Sequence, residues 1–202
     1  MVGRRNVSCA LALLTTAALA GCSRPARAPR MEVHDLMSQT VAHSAGLEES
    51  FTVGDVTGGS ETNPLWTPQV GNDAFRAALE RSLQANRMLA AMPDSARYVV
   101  FARLLEVERP VVGLAMRVAP RIAYRVVERG VPGEVFREEI TTSYVAQFEE
   151  SPLGAERLRL ANEGAIRESI REFLNRFRDV WLARLGPPSN PPPAAEAEAQ
   201  PS

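Results

Sequence analysis

Between Leu114 and Val126 the chain carries a period of two. Leu114, Met116, Val118, Ile122, Tyr124 and Val126 form an apolar set, and Arg117, Arg121 and Arg125 fall between them. That spacing is a strand with one buried face. Such a strand needs neighbours for its backbone and a cover for its apolar side. Gly130-Val131-Pro132-Gly133 then makes a turn. Beyond it Phe136, Ile140, Tyr144 and Phe148 supply a second inward face, with Arg137, Glu139, Thr141 and Ser143 outward. The two segments are expected to pair as an antiparallel hairpin, with Glu139 opposite one of the outward arginines. Pro120 has no donor and predicts a bulge or a place on an edge. Tyr98, Val100, Ala102 and Leu104 line one face of a further strand. Its other face is also apolar at Val99 and Phe101, so part of that face is expected to be covered. Phe51, Val53 and Val56 suggest a short first strand, ended by Gly58-Gly59.

The cover is legible as helical spacing. Asn72 reads as an N-cap with Asp73 in the first turn, and Phe75, Ala78, Leu79 and Leu83 form one face of a helix over about 73–88. From Gly154 to Leu185 nine apolar residues (Leu158, Ala161, Ala165, Ile166, Ile170, Phe173, Leu174, Phe177 and Trp181) fall at three- and four-residue steps. This helix would reach roughly 45 Å. Its first half is expected on the sheet. Its last turns, with Trp181, Leu182 and Leu185, either close the edge of the core or project as a contact for a partner or a membrane. The fold class is therefore α+β: an antiparallel-rich sheet of about four strands with two helices packed on it, in the order β-α-β-β-β-α.

Ahead of this domain, Arg4 and Arg5 precede an apolar run from Ala10 to Ala20 that ends in Leu19-Ala20-Gly21-Cys22. A basic start, a short apolar segment and small residues at the cut describe a signal peptide; a membrane span needs roughly 20 apolar residues. Leu19-Ala20-Gly21-Cys22 resembles the lipobox of bacterial lipoproteins. The resemblance implies cleavage before Cys22, a diacylglycerol on its sulfur and an acyl chain, such as palmitate, on its new amino group. Two or more chains anchor stably where one does not. The following residue is Ser23. In Gram-negative lipoproteins an Asp there commonly means retention in the inner membrane, so Ser23 implies the outer membrane, with the domain facing the periplasm. The expected organisation is a signal peptide over 1–21, a lipidated N-terminus and flexible tether over 22–50, a single domain over 51–185, and a tail over 186–202. That tail is too rich in Pro, Ala and Glu to offset its ordering entropy.

Composition removes several classes of function. Of 202 residues only Cys9 and Cys22 are cysteines, one lost with the signal and one lipidated, so the core alone holds the domain. Every basic residue is arginine. Without Arg4 and Arg5 the chain has 21 arginines against 24 acids, a net charge of about −3, which is not the basic excess of a nucleic-acid binder. No cofactor is expected. His34 and His43 are the only histidines, and Glu32 and Asp35 are not at helical ligand spacing from either. No nucleophile elbow, phosphate loop or zinc-helix motif occurs. Glu106 and Glu108 share a strand face, which a solvated strand end explains without catalysis.

The loop Gly58-Gly59-Ser60-Glu61-Thr62-Asn63-Pro64-Leu65-Trp66 is the segment richest in binding character. Asn63 turns the chain, and Leu65 and Trp66 end it as candidate anchors for a partner, or as a plug for the end of the core. Trp181 is the other candidate contact. The element order behind a lipobox resembles small envelope lipoproteins, including penicillin-binding-protein activator lipoproteins and YajG-like lipoproteins. The resemblance implies a non-enzymatic accessory protein that binds another envelope protein. The alternative is a carrier, with a lipid or glycan fragment enclosed between sheet and long helix.

Overall fold

The computed structural model describes residues 24–34, 46–60, 69–108 and 115–185. A single turn, α1 (Ala28–Met31), precedes β1 (Phe51–Thr57), α2 (Asn72–Ala85), β2 (Tyr98–Glu108), β3 (Met116–Glu128), β4 (Glu134–Thr141), β5 (Tyr144–Ala146) and α3 (Gly154–Leu185). The sheet order is β1-β2-β3-β4, with β5 also on β3. β1 and β2 run parallel, joined across α2, and all other pairs are antiparallel. The α+β class is the one expected from the sequence.

The fifth strand arises from a break that the alternation hides. After Thr141 the chain leaves the register of β4. Thr142 donates its hydroxyl to the carbonyl of Ala165 on α3 (3.1 Å), and the ring of Tyr144 lies against Gly164. A Cβ at Gly164 would stand 2.4 Å from that ring. β5 then resumes on Met116–Val118. Phe148, read from the sequence as inward, instead falls in a 3-10 turn and is 47% exposed. Pro120 sits at the seam. β4 pairs with residues 121–127 of β3 and β5 with 116–118. The Pro120 carbonyl accepts the Thr142 amide across this gap. The missing donor therefore costs the ladder to β2 nothing. The register shifts lie elsewhere: between Leu104 and Glu106 on β2, between Val53 and Val56 on β1, and where Val126 and Val127 of β3 meet β4.

Both longer helices cover one face of the sheet. Phe75, Leu79 and Leu83 from α2, and Ile166, Ile170, Phe173 and Phe177 from α3, meet Tyr98, Val100, Ile122, Tyr124, Val126, Phe136 and Ile140. The aromatic rings touch one another. Tyr124 stacks on Phe173 with centroids 4.5 Å apart, and Phe177 contacts Phe51 at 5.2 Å and Phe136 at 5.7 Å. The Tyr124 hydroxyl shares a buried 3.0 Å hydrogen bond with Ser169. Toward the start of α3 the residues shrink: Val118, Ala146, Ala161 and Ala165 bring helix and sheet close together.

Asn72 does not cap α2. The cap position is Gly71, and the Asn72 side chain reaches back to accept the amide of Gly59 at 2.7 Å. The helix also stops short of 88. Arg87 adopts a left-handed φ of 57°, and the chain turns so that Met88 and Ala90 bracket Phe51. The Phe51 amide donates to the Met88 carbonyl, and the Ala90 amide to the Phe51 carbonyl, each at 2.8 Å.

The segment expected as a flexible tether is part of the fold from Arg24 to His34. Met31 and Val33 are fully buried in the main core, with Ala26. Backbone pairing holds the rest between the two helices. The Val33 amide donates to Ser82 (3.0 Å), and its carbonyl accepts from Asn86 (3.2 Å). Arg167 donates to the Arg30 carbonyl (3.1 Å). The Arg27 amide donates to Glu163 (2.9 Å), and the Ala26 amide to the Gln69 carbonyl (3.3 Å). Leu47 is buried in the same cluster. Apolar residues at 26, 31 and 33 suffice because α2 and α3 leave a trough between them.

Candidate functional site: the open face of the sheet

No described residue covers the second face of the sheet. Alternation sets its content, because every second residue of β2, β3 and β4 points away from the helices. Register places Val99 opposite Val127, Phe101 opposite Arg125, and Arg103 opposite Ala123. Arg125 in turn lies opposite Arg137, and Ala123 opposite Glu139. Thr57 of β1 flanks Arg103. The face therefore has an apolar centre in a frame of four arginines.

Phe101 is the middle of this face. Its ring packs against Gly54 of β1, where an added Cβ would be 2.6 Å from the ring. Only glycine leaves room for the ring there. Arg125 stands over the ring, with its guanidinium carbon 4.1 Å from the centroid, a cation–π geometry. Two like charges directly opposite each other in a sheet repel, so Arg125 and Arg137 need a shared counter-ion. Glu134 provides it, at 3.7 Å from Arg125 and 3.3 Å from Arg137. Arg121 is held between Glu106 (3.2 Å) and Glu139 (3.5 Å). Asp55 meets Arg76 of α2 at 3.8 Å. Arg103 has no carboxylate partner among the described residues. It borders an open groove of about 310 Å³ with Phe101, Asp55, Thr57, Arg125 and Arg137.

This arrangement can recognise: a guanidinium offers planar, forked donors to a carboxylate or phosphate. The sequence signal was visible in Val99 and Phe101, but it led to the opposite expectation, that this face would be covered. Glu106 serves as counter-ion to Arg121. His34 lies 3.5 Å from Glu32, and among the described residues no three metal-ligating side chains converge.

The residues singled out from the sequence are placed unevenly. Cys22, Asn63, Leu65, Trp66, His43 and Asp35 lie outside the described residues. Ser60 and Gln69, the described residues on either side of 61–68, line a groove with Leu104, Leu105, Glu106 and Val107. Trp181 is not presented to a partner. It is 8% exposed, packs on Tyr98 at 5.3 Å and stacks on Phe177, and Arg97 lies over it. It closes the core because the α3 face that holds Phe173 and Phe177 runs on for one more turn. Leu182 and Leu185 beyond it are exposed. Among the described residues no helix is long and apolar enough to cross a membrane.

No family model matches the chain, and no curated protein matches it. Solved structures do. A Xanthomonas campestris protein of the DUF330 family superimposes with a TM-score of 0.50 at 11% identity, over 69% of this chain and 91% of that one. A "putative lipoprotein" from Caulobacter crescentus gives 0.46 at 17% identity, over 74% and 99%. A minor lipoprotein from Acinetobacter baumannii gives 0.36 at 15% identity, over 67% and 92%. The likeness is one of fold.

Proposed function

We propose that this chain is a lipid-anchored accessory lipoprotein of the bacterial cell envelope. It lies on the periplasmic side of the outer membrane, makes no covalent chemistry, and binds another envelope protein. The observation that carries the binding reading is the open sheet face, with Phe101 packed against Gly54 inside a frame of arginines. A buried sheet normally covers both faces or solvates one with polar residues. This one keeps an apolar centre and a guanidinium, Arg103, with no carboxylate partner among the described residues. A partner segment with an acidic residue beside an apolar one fits it. The carrier reading is less well supported. The space between the sheet and α3 is filled by Tyr124, Phe136, Phe173 and Phe177 in ring contact.

The test is cross-linking of the full chain in intact cells, then purification and mass spectrometry. Arg103→Glu and Trp66→Ala run as parallel samples, with Arg171→Glu on α3 as control. One envelope protein recovered with wild type and control, and lost with Arg103→Glu, is the expected result. Loss with Trp66→Ala alone would move the interface to the Asn63–Trp66 loop. Equal recovery with Arg103→Glu would refute the open face as the interface.

A further inference from the structure

The N-terminal strap runs parallel to α3, and two hydrogen bonds fix its register. The Arg30 carbonyl is held by Arg167. The Arg27 amide is held by Glu163. Arg27 and Arg24 both lie near enough to Glu156 to act on its charge. From 27 to 24 an extended chain covers about 10 Å, and from 163 to 156 a helix rises about 10 Å. The two advance together toward the start of α3. Cys22 is two residues beyond Arg24, so covalent geometry keeps it within about 8 Å. Leu153 lies three residues before Glu156, about 5 Å further along the same line.

That end of the molecule is where apolar side chains come out. Leu153 is 69% exposed, and Phe148 is exposed with Arg157 packed across its ring at 5.1 Å. The Leu153 amide is tied to Ser151 (3.2 Å), whose carbonyl accepts Arg157 (2.7 Å), so the two apolar side chains sit on one braced turn. Arg24 and Arg27 are exposed beside it. The anchoring segment is itself fixed. Glu163, 2% exposed, accepts the Arg27 amide and Arg159 (2.8 Å) with one carboxylate oxygen. Arg159 also pairs with Glu156.

We infer that Phe148 and Leu153 form a membrane-docking edge, set into the phospholipid leaflet that holds the lipid on Cys22. The inference rests on the lipidation of Cys22. The strap converts that attachment from a leash into a fixed mounting. The domain then meets the bilayer with the start of α3, and Leu185 points away from it.

The test uses the full lipidated chain in vesicles of phosphatidylethanolamine and phosphatidylglycerol, three to one. A nitroxide is placed at Leu153→Cys, Val131→Cys or Leu185→Cys; all three sites are exposed, and Cys22 is blocked by its lipid. Power saturation compares access of oxygen with that of a water-soluble nickel chelate. The expected result is oxygen access exceeding nickel access at 153, and the reverse at 131 and 185. Nickel access at 153 equal to that at 131 would overturn the docking edge. So would low access to both reagents at 153, which means that a protein or a second copy covers it. The mass of the N-terminal peptide is measured on the same samples. An unacylated Cys22 overturns the anchor reading and the inference with it; an acylated Cys22 with a water-exposed Leu153 overturns the inference alone.

Discussion

Met31→Ala separates a docked strap from a loose tether. Met31 is fully buried in the main core and sits in a four-residue turn held by α2 and α3. The substitution removes three methylene-sized groups, at about 0.8 kcal/mol each or about 2.4 kcal/mol. Incomplete collapse of the trough adds a cavity penalty: about 30 Å³ left empty at about 24 cal/mol per Å³ contributes about 0.7 kcal/mol. The expected loss is about 3 kcal/mol, or roughly 6–12 °C in Tm for a domain of this size. Urea unfolding by circular dichroism gives the loss. Hydrogen exchange of the Ala26, Arg27 and Val33 amides shows where it falls. If the strap leaves as a unit, the loss is capped at its whole docking energy, and Met31→Ala matches deletion of 24–34. A change below about 0.5 kcal/mol, with those amides exchanging freely in wild type, would refute the docked strap.

Gly58 has φ of 81°, and an added Cβ would stand 2.0 Å from the Leu104 carbonyl oxygen, whereas Gly46, at φ 66°, has nothing within 4 Å. Gly58→Ala is expected to cost about 2–4 kcal/mol, from left-handed strain plus overpacking, and Gly46→Ala about 1 kcal/mol; equal losses in the same urea assay would show that the contact is not the cause. The Glu156 carboxyl is held below the ordinary range, chiefly by hydrogen bonds from Arg159. Unfolded, it titrates near about 4.3, so its contribution is intact above that pH and is lost as pH falls through the lower folded value. The urea midpoint should therefore drop on acidification below about pH 4.3, and less steeply in Glu156→Gln; identical pH dependence of the two proteins would refute this.

The strands and long helices were legible because each buries one face and shows its period. What escaped was local competition. Phe148 continues the apolar spacing of β4, but Thr142 and Gly164 draw the chain to α3 and reset the register before Phe148 is reached. Asn72 has the chemistry of a cap, yet its oxygen is used by Gly59. The strap buries only Ala26, Met31 and Val33 among two prolines and three arginines, too few to show a period; its burial depends on a trough built by residues more than 45 positions away. Of the candidate site, the apolar pair Val99 and Phe101 was visible. Its openness was not, because whether a second layer covers a sheet is decided by how many helices the chain has left.

The sheet has two edges, β1 on one side and β4 with the three-residue β5 on the other, and a protein anchored as proposed meets its copies side by side, edge against edge. Unpaired strand edges invite such meetings to grow. Here neither edge is usable. β1 is closed at Phe51 by Met88 and Ala90, and the bulge between Val53 and Val56 breaks the rest, with Asp55 turned out to water. β4 carries Glu134, Arg137, Glu138 and Glu139 along a short run. If the chain is anchored as proposed, crowded copies can therefore slide past one another without annealing.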